Sequence, residues 1–148
     1  MFLKISSPET QIFTGEIEKV TIPTEVGEIT ILPWHQPLAS VVNAWLIKIF
    51  PVDAPEDGEY IMDQGAITVS VSRGMVFLDG ETILVTITAA TKSPEESAEV
   101  LEKMREDMVA ELEKIRVEGN QEDLEQAMIN IEKVTADLRL SKLGKVSR

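Results

Sequence analysis

The sequence predicts an α+β chain in two parts: an N-terminal antiparallel β-sandwich or barrel, followed by an antiparallel hairpin of two helices. Up to about residue 93, apolar residues alternate with polar ones in short β-branched segments separated by Gly, Pro, Asp and Asn. Beyond residue 93, the apolar spacing changes to three and four residues, which is typical of amphipathic helices. No helical segment lies between the predicted strands, which favours antiparallel pairing. We therefore expect a β domain at 1–90 and a helical domain at 91–148.

The predicted strands share short length, alternation and β-branched content. They are 17–22, 28–32, 41–42, 46–49, 67–71, 75–78 and 83–87. Asp79-Gly80 lies between the last two and is a typical hairpin turn. Residues 53–58 are rich in Pro, Asp and Gly and predict a loop.

The first helix is expected to run from residue 94 to about residue 117. Ser93 and Glu96 form a capping box, and Pro94 suits the first turn. Between the helices, Gly119 can supply a left-handed C-terminal cap and Asn120 can cap the second helix. The apolar stripes of the two helices are Leu101, Met104, Met108, Leu112 and Ile115, and Leu124, Ala127, Ile131, Val134 and Leu138.

These stripes are narrow, and some of their residues are small or flexible, so they pack adequately but specify weakly. We expect the hairpin to be held mainly by its facing stripes and to dock less strongly on the β domain. The pattern leaves two arrangements open: a movable arm, or a hairpin fixed permanently on the sandwich.

Composition excludes several classes of function. The chain has no cysteine, which removes disulfides and thiolate chemistry and fits a cytoplasmic protein. Its net charge of −12 argues against nucleic acid as a partner. Residues 139–148 carry four basic residues, among them Arg139 and Lys142, and no acid. This basic end either complements a helix C-terminus or contacts an acidic partner.

The sequence contains no catalytic constellation. His35 is the only histidine, and both the Gly-x-Ser-x-Gly elbow and the phosphate-binding glycine motifs are absent. The acidic residues of the first helix are interpreted as a solvated face near the helix N-terminus. We therefore expect no catalytic residue, no cofactor and no metal.

Residues 27–38 (GEITILPWHQPL) are the most informative segment. They hold His35, Trp34 and two prolines that fix a rigid corner between two strands. Such a corner can present a contact surface. His35 is interpreted as a turn or interface residue, Trp45 as a core residue, and Trp34 as either core or an exposed interface anchor.

Four segments in order along the chain carry a resemblance to a known family. They are residues 12–15 (IFTG), 27–38, 64–69 (QGAITV) and 136–140 (ADLRL). Together with the two-part architecture, they resemble the epsilon subunit of the F-type ATP synthase. The segment at 27–38 is the most specific of the four.

The resemblance implies a sandwich of about ten strands and a non-catalytic rotor role in a proton-translocating ATP synthase. The sandwich would bind the gamma subunit and the ring of c subunits, with Glu28, Trp34 and His35 at the contact. The hairpin would regulate ATP hydrolysis by switching between a folded form and an extended form. In the extended form, Arg139 and Lys142 would face an acidic segment of the beta subunit. The protein would then be peripheral, at the cytoplasmic face of the membrane.

The sequence departs from the family pattern in two respects. Trp34 and Trp45 stand where the family has glycine, so Trp would be strained wherever that glycine has a positive φ. The ATP-binding motif of some bacterial members is also incomplete, since Glu95, Ser97 and Thr135 replace its Asp and two Arg residues. We therefore predict no tight ATP binding.

Two other functions stay open at this point. One is a non-catalytic β-sandwich ligand-binding module with a helical oligomerisation arm, which predicts a concave pocket and self-association. The other is a hydrolase, for which the sequence offers no supporting motif.

Overall fold

The computed structural model describes residues 1–55 and 59–146 of the chain, and part of the predicted loop at 53–58 lies outside them. The strands are β1 (Phe2–Ser6), β2 (Gln11–Thr24), β3 (Gly27–Ile31), β4 (Leu38–Val42), β5 (Trp45–Pro51), β6 (Ile61–Asp63), β7 (Ala66–Val71), β8 (Gly74–Leu78), β9 (Thr82–Ile87) and β10 (Ala90–Thr91). The helices are α1 (Ala98–Glu118) and α2 (Gln121–Val146).

The ten strands form a sandwich, which confirms the predicted fold class. They are hydrogen-bonded in the order β1-β9-β8-β4-β2-β5-β7-β10, with β3 added to β2 and β6 added to β7. One pairing departs from the antiparallel prediction: β1 runs parallel to β9. Parallel neighbours need a long connection rather than a hairpin, and here most of the sandwich separates the two strands in sequence.

Strand β2 explains how the chain closes into two layers. It is 14 residues long, whereas only its central part, 17–22, was predicted. Its first half pairs with β1 and its second half with β3, while β5 lies along its other edge. One strand therefore serves both sheets.

The predicted hairpin at Asp79-Gly80 joins β8 to β9 as expected.

The sandwich core follows the strand alternation. Ile67, Val69 and Val71 of β7 face the core and are fully buried. Because neighbouring side chains of a strand point to opposite faces, Ala66, Thr68 and Ser70 face outward. These three are fully buried as well, since α2 packs over this face of β7.

Helix α2 buries two of its faces, and only one of them was predicted. Val134 and Leu138 pack with Ala98 and Leu101 of α1 in the cluster that holds the hairpin together. Ala136 and Leu140 are not part of that cluster. They are completely buried on the side of α2 that contacts β5, β6 and β7. Helix α1 packs on α2, so the hairpin is docked on the sandwich through α2.

The predicted start of the first helix is wrong. The helix begins at Ala98, and its N-cap is Ser97, whose hydroxyl accepts a hydrogen bond from the Val100 amide at 3.3 Å. Ser93 and Glu96 belong to the connection from β10 to α1. This connection must lead from the sheet past α2 to the outer helix, and non-helical residues span that distance better than a compact helix does.

Of the two caps predicted between the helices, the structure shows the one at Asn120 but not the one at Gly119. The side chain of Asn120 accepts a hydrogen bond from the Asp123 amide at 2.8 Å, as expected of an N-cap. Gly119 is extended, with φ −92°, so the left-handed cap is wrong. Glycine is needed there for space, because a Cβ would lie 2.7 Å from Ile115 Cγ2 and 2.8 Å from the Ile115 carbonyl oxygen.

The two tryptophans at family glycine positions differ in backbone and exposure. Trp34 has φ +72°, in a turn closed by a hydrogen bond from the His35 amide to the Leu32 carbonyl at 3.2 Å. With Pro33 before it, this is the type II position that glycine fills most easily, and the Trp34 side chain is 94% exposed. Trp45 is 37% exposed, so its assignment to the core is wrong. It points to the same side of β5 as the buried Ile47 but is the first residue of that strand.

Replacing Trp34 tests the backbone strain. Trp34→Gly and Trp34→Ala remove the same exposed indole, but only glycine adopts φ +72° without a steric penalty. We expect Trp34→Gly to be more stable than Trp34→Ala by about 1 kcal/mol in urea unfolding. Equal stabilities would mean that the turn relaxes out of the left-handed region.

Substitutions of Gly119 test whether it is required for space or for a positive φ. Gly119→Ala is expected to destabilise the chain by about 1–3 kcal/mol in urea unfolding, because the methyl group meets Ile115. Gly119→Asn is expected to cost at least as much. A left-handed cap would tolerate Asn, so an Asn variant near wild-type stability would contradict the observed geometry.

Candidate functional site

The contact residues predicted on the sandwich lie along one sheet edge. Strand β3 pairs with β2, and within the described ranges its other edge carries no strand. Glu28 lies near the start of β3, while Trp34 and His35 follow its end, and all three side chains are exposed. Glu28 and His35 therefore lie at opposite ends of this edge.

His35 has the geometry of a turn residue. Its Nδ1 lies 2.8 Å from the carbonyl oxygen of Gln36, and its amide closes the turn to Leu32. A catalytic histidine in a triad has its ring oriented by an acid, whereas the partner of this ring is a neighbouring carbonyl. The exposed ring is therefore available for contact with another molecule.

Trp34 borders a shallow cleft of about 280 Å³ at one end of the sandwich. Met1 and Phe2 of the first strand region and Glu81 of the β8–β9 turn line the same cleft. The indole is nearly free of intramolecular packing, so the sequence alternative of a core Trp34 is wrong. An exposed, conformationally constrained aromatic residue has the character of an interface anchor.

The predicted basic contacts lie on α2, away from the β3 edge. Arg139 is exposed, and Lys142 Nζ lies 3.4 Å from Glu102 Oε1 of α1. In this pose, Lys142 therefore pairs within the hairpin. The side chains of Lys145 and Arg148, the remaining members of the basic end, lie outside the described residues.

A polar cluster between α2 and the sandwich was not predicted. Lys133 Nζ lies 2.6 Å from Asp137 Oδ1 and 2.8 Å from Thr91 Oγ1, and Ser70 donates a hydrogen bond to Asp137. Lys133 and Asp137 are only 16% and 18% exposed. We call Ser70, Thr91, Lys133 and Asp137 the polar seam. The only sequence signal was the i,i+4 spacing of Lys133 and Asp137, which usually marks a solvated helix surface.

A second ionic contact joins the sandwich to α2 beside this seam. The Arg73 guanidinium binds Glu132 through two hydrogen bonds of 3.0 and 2.8 Å. The hydrogen bond and the charge of Glu132 raise the pKa of Arg73 further above its usual range. Both side chains are more than one third exposed, so the pair contributes little to stability and weakens with salt.

A cavity of about 640 Å³ lies where the β10–α1 connection meets α2. Its lining includes Glu59, Glu95, Glu96 and Asp137 with Lys92 as the opposing charge. Lys92 Nζ lies 3.5 Å from Glu59 Oε2. Carboxylates predominate, which makes the cavity a poor environment for the phosphates of a nucleotide.

The positions that depart from the ATP-binding motif have structural roles of their own. Ser97 caps α1, and Thr135 accepts a hydrogen bond from Arg105 Nε at 3.1 Å while donating one to the Ile131 carbonyl. In residues 1–55 and 59–146, no group of three or more His, Cys, Asp or Glu side chains is placed to hold a metal ion. Neither described helix is long and apolar enough to cross a membrane.

Comparison with known proteins connects this architecture to one family. The family model for the ATP synthase, Delta/Epsilon chain, beta-sandwich domain matches residues 1–92. An ATP synthase epsilon chain from Campylobacter hominis is 34% identical over 80 residues, covering 54% of this chain and 62% of that protein. An ATP synthase epsilon chain from Nitratiruptor sp. is 30% identical over 110 residues, covering 73% of this chain and 84% of that protein.

Solved structures share the fold at low sequence identity. A chain in the cryo-EM structure of Euglena gracilis mitochondrial ATP synthase, OSCP/F1/c-ring, superposes with a TM-score of 0.70 at 17% identity, covering 93% of this chain and 78% of that chain. A chain in the central stalk/c-ring structure of Tetrahymena thermophila mitochondrial ATP synthase superposes with a TM-score of 0.53 at 12% identity, covering 100% and 96%.

The match extends beyond the sandwich, since the Nitratiruptor alignment is longer than the β domain. The aligned region nevertheless spans less than two thirds of the Campylobacter protein. The names of these relatives agree with the prediction of a subunit that is not an enzyme by itself. As the motifs at 12–15, 27–38, 64–69 and 136–140 predicted, the chain belongs to the ATP synthase delta/epsilon family.

Proposed function

We propose that this chain is the epsilon-type rotor subunit of a proton-translocating F-type ATP synthase and regulates ATP hydrolysis through its C-terminal helices. The observation that carries the proposal is the family's β-sandwich with a helical hairpin docked on it through α2. The chain would act as a non-catalytic part of the central stalk. It would be a peripheral subunit at the cytoplasmic face of the membrane.

The β3 edge is the proposed contact with the gamma subunit and the c ring. Glu28, Trp34 and His35 are exposed there, and the Pro33–Trp34 turn holds two of them on a rigid corner. Both structural neighbours come from ATP synthase assemblies that include a c-ring, which supports a partner of this kind.

The two parts of the chain, 1–90 and 91–148, are proposed to act as separate domains. Two apolar clusters support this division: one fills the sandwich, and the other lies between α1 and α2. The contact between the parts includes the polar seam, in which Ser70 of the sandwich bonds to both Lys133 and Asp137 of α2. Such a contact suits a hairpin that can leave the sandwich without unfolding either part.

In the extended form, the hairpin would place Arg139 and Lys142 against an acidic segment of the beta subunit and obstruct rotation. Lys142 would exchange its partner Glu102 for that surface. The docked form would leave rotation free. The alternative of a ligand-binding module with a helical oligomerisation arm has less support, because family membership points to an assembly subunit and the cavity at the domain junction is open and acidic.

Removal of the hairpin tests the regulatory role. The assembled ATP synthase carrying a chain without residues 94–148 is expected to hydrolyse ATP several-fold faster than the full-length complex. The subunit content of both complexes must be measured, because loss of the whole chain would also change the rate. Equal rates at equal subunit content would contradict an inhibitory hairpin.

Substitution of the β3 edge tests the proposed contact. The double variant Glu28→Ala/His35→Ala is expected to bind the gamma subunit and c ring at least about tenfold more weakly, as measured by titration with the purified rotor. Val117→Ser is the matched control, since Val117 is also highly exposed but lies on the hairpin. If the double variant bound as tightly as the control, the β3 edge would not be the contact.

A further inference from the structure

The surface between α2 and the sandwich mixes apolar packing with buried polar groups. Ala136 and Leu140 of α2 are fully buried, as is Ala66 on the facing side of β7. On the same side of β7, Thr68 and Ser70 have no exposed surface either. An interface held for stability alone would place apolar side chains at these two positions, because buried polar groups contribute only when they are hydrogen-bonded.

The ion pair of the polar seam lies within a single helix. Lys133 and Asp137 are one turn apart on α2, and their charged atoms are 2.6 Å apart. This pair therefore stays intact when α2 leaves the sandwich. Within the polar seam, undocking breaks only the contacts to Ser70 and Thr91, whose partners are then replaced by water. The Arg73–Glu132 pair also separates, but both of its side chains are already exposed to solvent. No buried charge therefore loses its counter-ion. Loss of a counter-ion is what usually makes the separation of a buried ion pair costly.

Thr68 opposes docking directly. Its hydroxyl is fully buried, and among the described residues it has no hydrogen-bond partner. By strand alternation it points toward α2 rather than into the sandwich core. Water reaches this hydroxyl once α2 departs, so undocking removes an unsatisfied polar group from the protein interior.

We propose that the polar seam and Thr68 form a releasable latch that sets the balance between the docked and undocked hairpin. The apolar residues Ala66, Ala136 and Leu140 favour docking. Thr68 and the desolvation of the Lys133–Asp137 pair limit its strength, while Ser70 and Thr91 fix the position of α2. This inference rests on the proposed function, because it assigns the residues that control the regulatory state of the hairpin.

The latch predicts that some substitutions in the interface tighten docking of the hairpin and others loosen it. A uniformly stabilising interface would only be loosened. Thr68→Val removes the unsatisfied hydroxyl and should tighten docking. Ser70→Ala/Lys133→Met/Asp137→Leu replaces the pair and the buried Ser70 hydroxyl that binds it by apolar groups, so no new buried hydroxyl loses its partners at position 70, and it should also tighten docking. Lys133→Ala alone leaves Asp137 without its cation and should loosen docking.

A single thiol reports the undocked state in the full-length chain, since the protein has no cysteine of its own. Ala136→Cys places the thiol on the buried α2 surface, where a labelling reagent reaches it only after opening. Val85→Cys, in the sandwich core, reports global unfolding in the same way. Each latch variant is measured in both backgrounds by the rate of thiol labelling under native conditions.

We expect Thr68→Val and Ser70→Ala/Lys133→Met/Asp137→Leu to slow labelling at position 136 about fivefold or more, and Lys133→Ala to accelerate it about tenfold. The change in labelling rate between each variant and its parent should be smaller at position 85. Faster labelling with Thr68→Val, unchanged labelling with Lys133→Ala, or equal changes at both reporters would overturn the latch.

ATP hydrolysis by the assembled enzyme separates the latch from the proposed function. Variants that tighten docking should relieve inhibition, and Lys133→Ala should deepen it. If labelling at position 136 shifts as expected while hydrolysis stays constant, the latch stands and the regulatory function fails. If hydrolysis responds to removal of the hairpin but labelling does not respond to the latch variants, the function stands and the latch fails.

Discussion

The burial of β7 on both faces is the constraint on which the arrangement of the sandwich and the helical hairpin depends. Its inner face completes the sandwich core through Ile67, Val69 and Val71, and its outer face needs a cover that the sandwich cannot supply. Helix α2 supplies that cover, and α1 is positioned through its packing on α2. The connection from β10 to α1 must then stay non-helical to reach the outer layer. The late start of the helix and the docked pose thus have one origin.

Strand positions were predictable because alternation is imposed by the geometry of a half-buried strand. The prediction missed β1, β6 and β10; β6 and β10 have three residues or fewer, which is too short for an alternating pattern to be recognised. The cap at Ser97 was missed because a stronger motif, Ser93 with Pro94 and Glu96, lies four residues earlier. Local capping patterns cannot account for the distance that the chain must cover between layers.

The candidate site was less predictable than the fold. Exposed residues such as Glu28 and His35 carry no periodic signal, so they were identified through the family resemblance and not from physical pattern. The polar seam was invisible for a different reason: Lys133 and Asp137 have the spacing of a solvated pair, and only the packing of α2 on β7 buries them. By contrast, the conditional expectation for Trp34 followed from stereochemistry, and the structure places it at φ +72°.

The outer face of β7 also bears on how the chain behaves before assembly. If α2 lifts away, Ala66 of β7 and Leu46 of β5, which lies opposite Ser70, are uncovered on the outer surface of the sheet. Newly exposed apolar residues on a sheet surface are where unassembled proteins adhere to one another or are captured by quality-control factors. If the hairpin undocks as proposed, a surplus of free chains would expose this surface and would be the first to aggregate or be degraded.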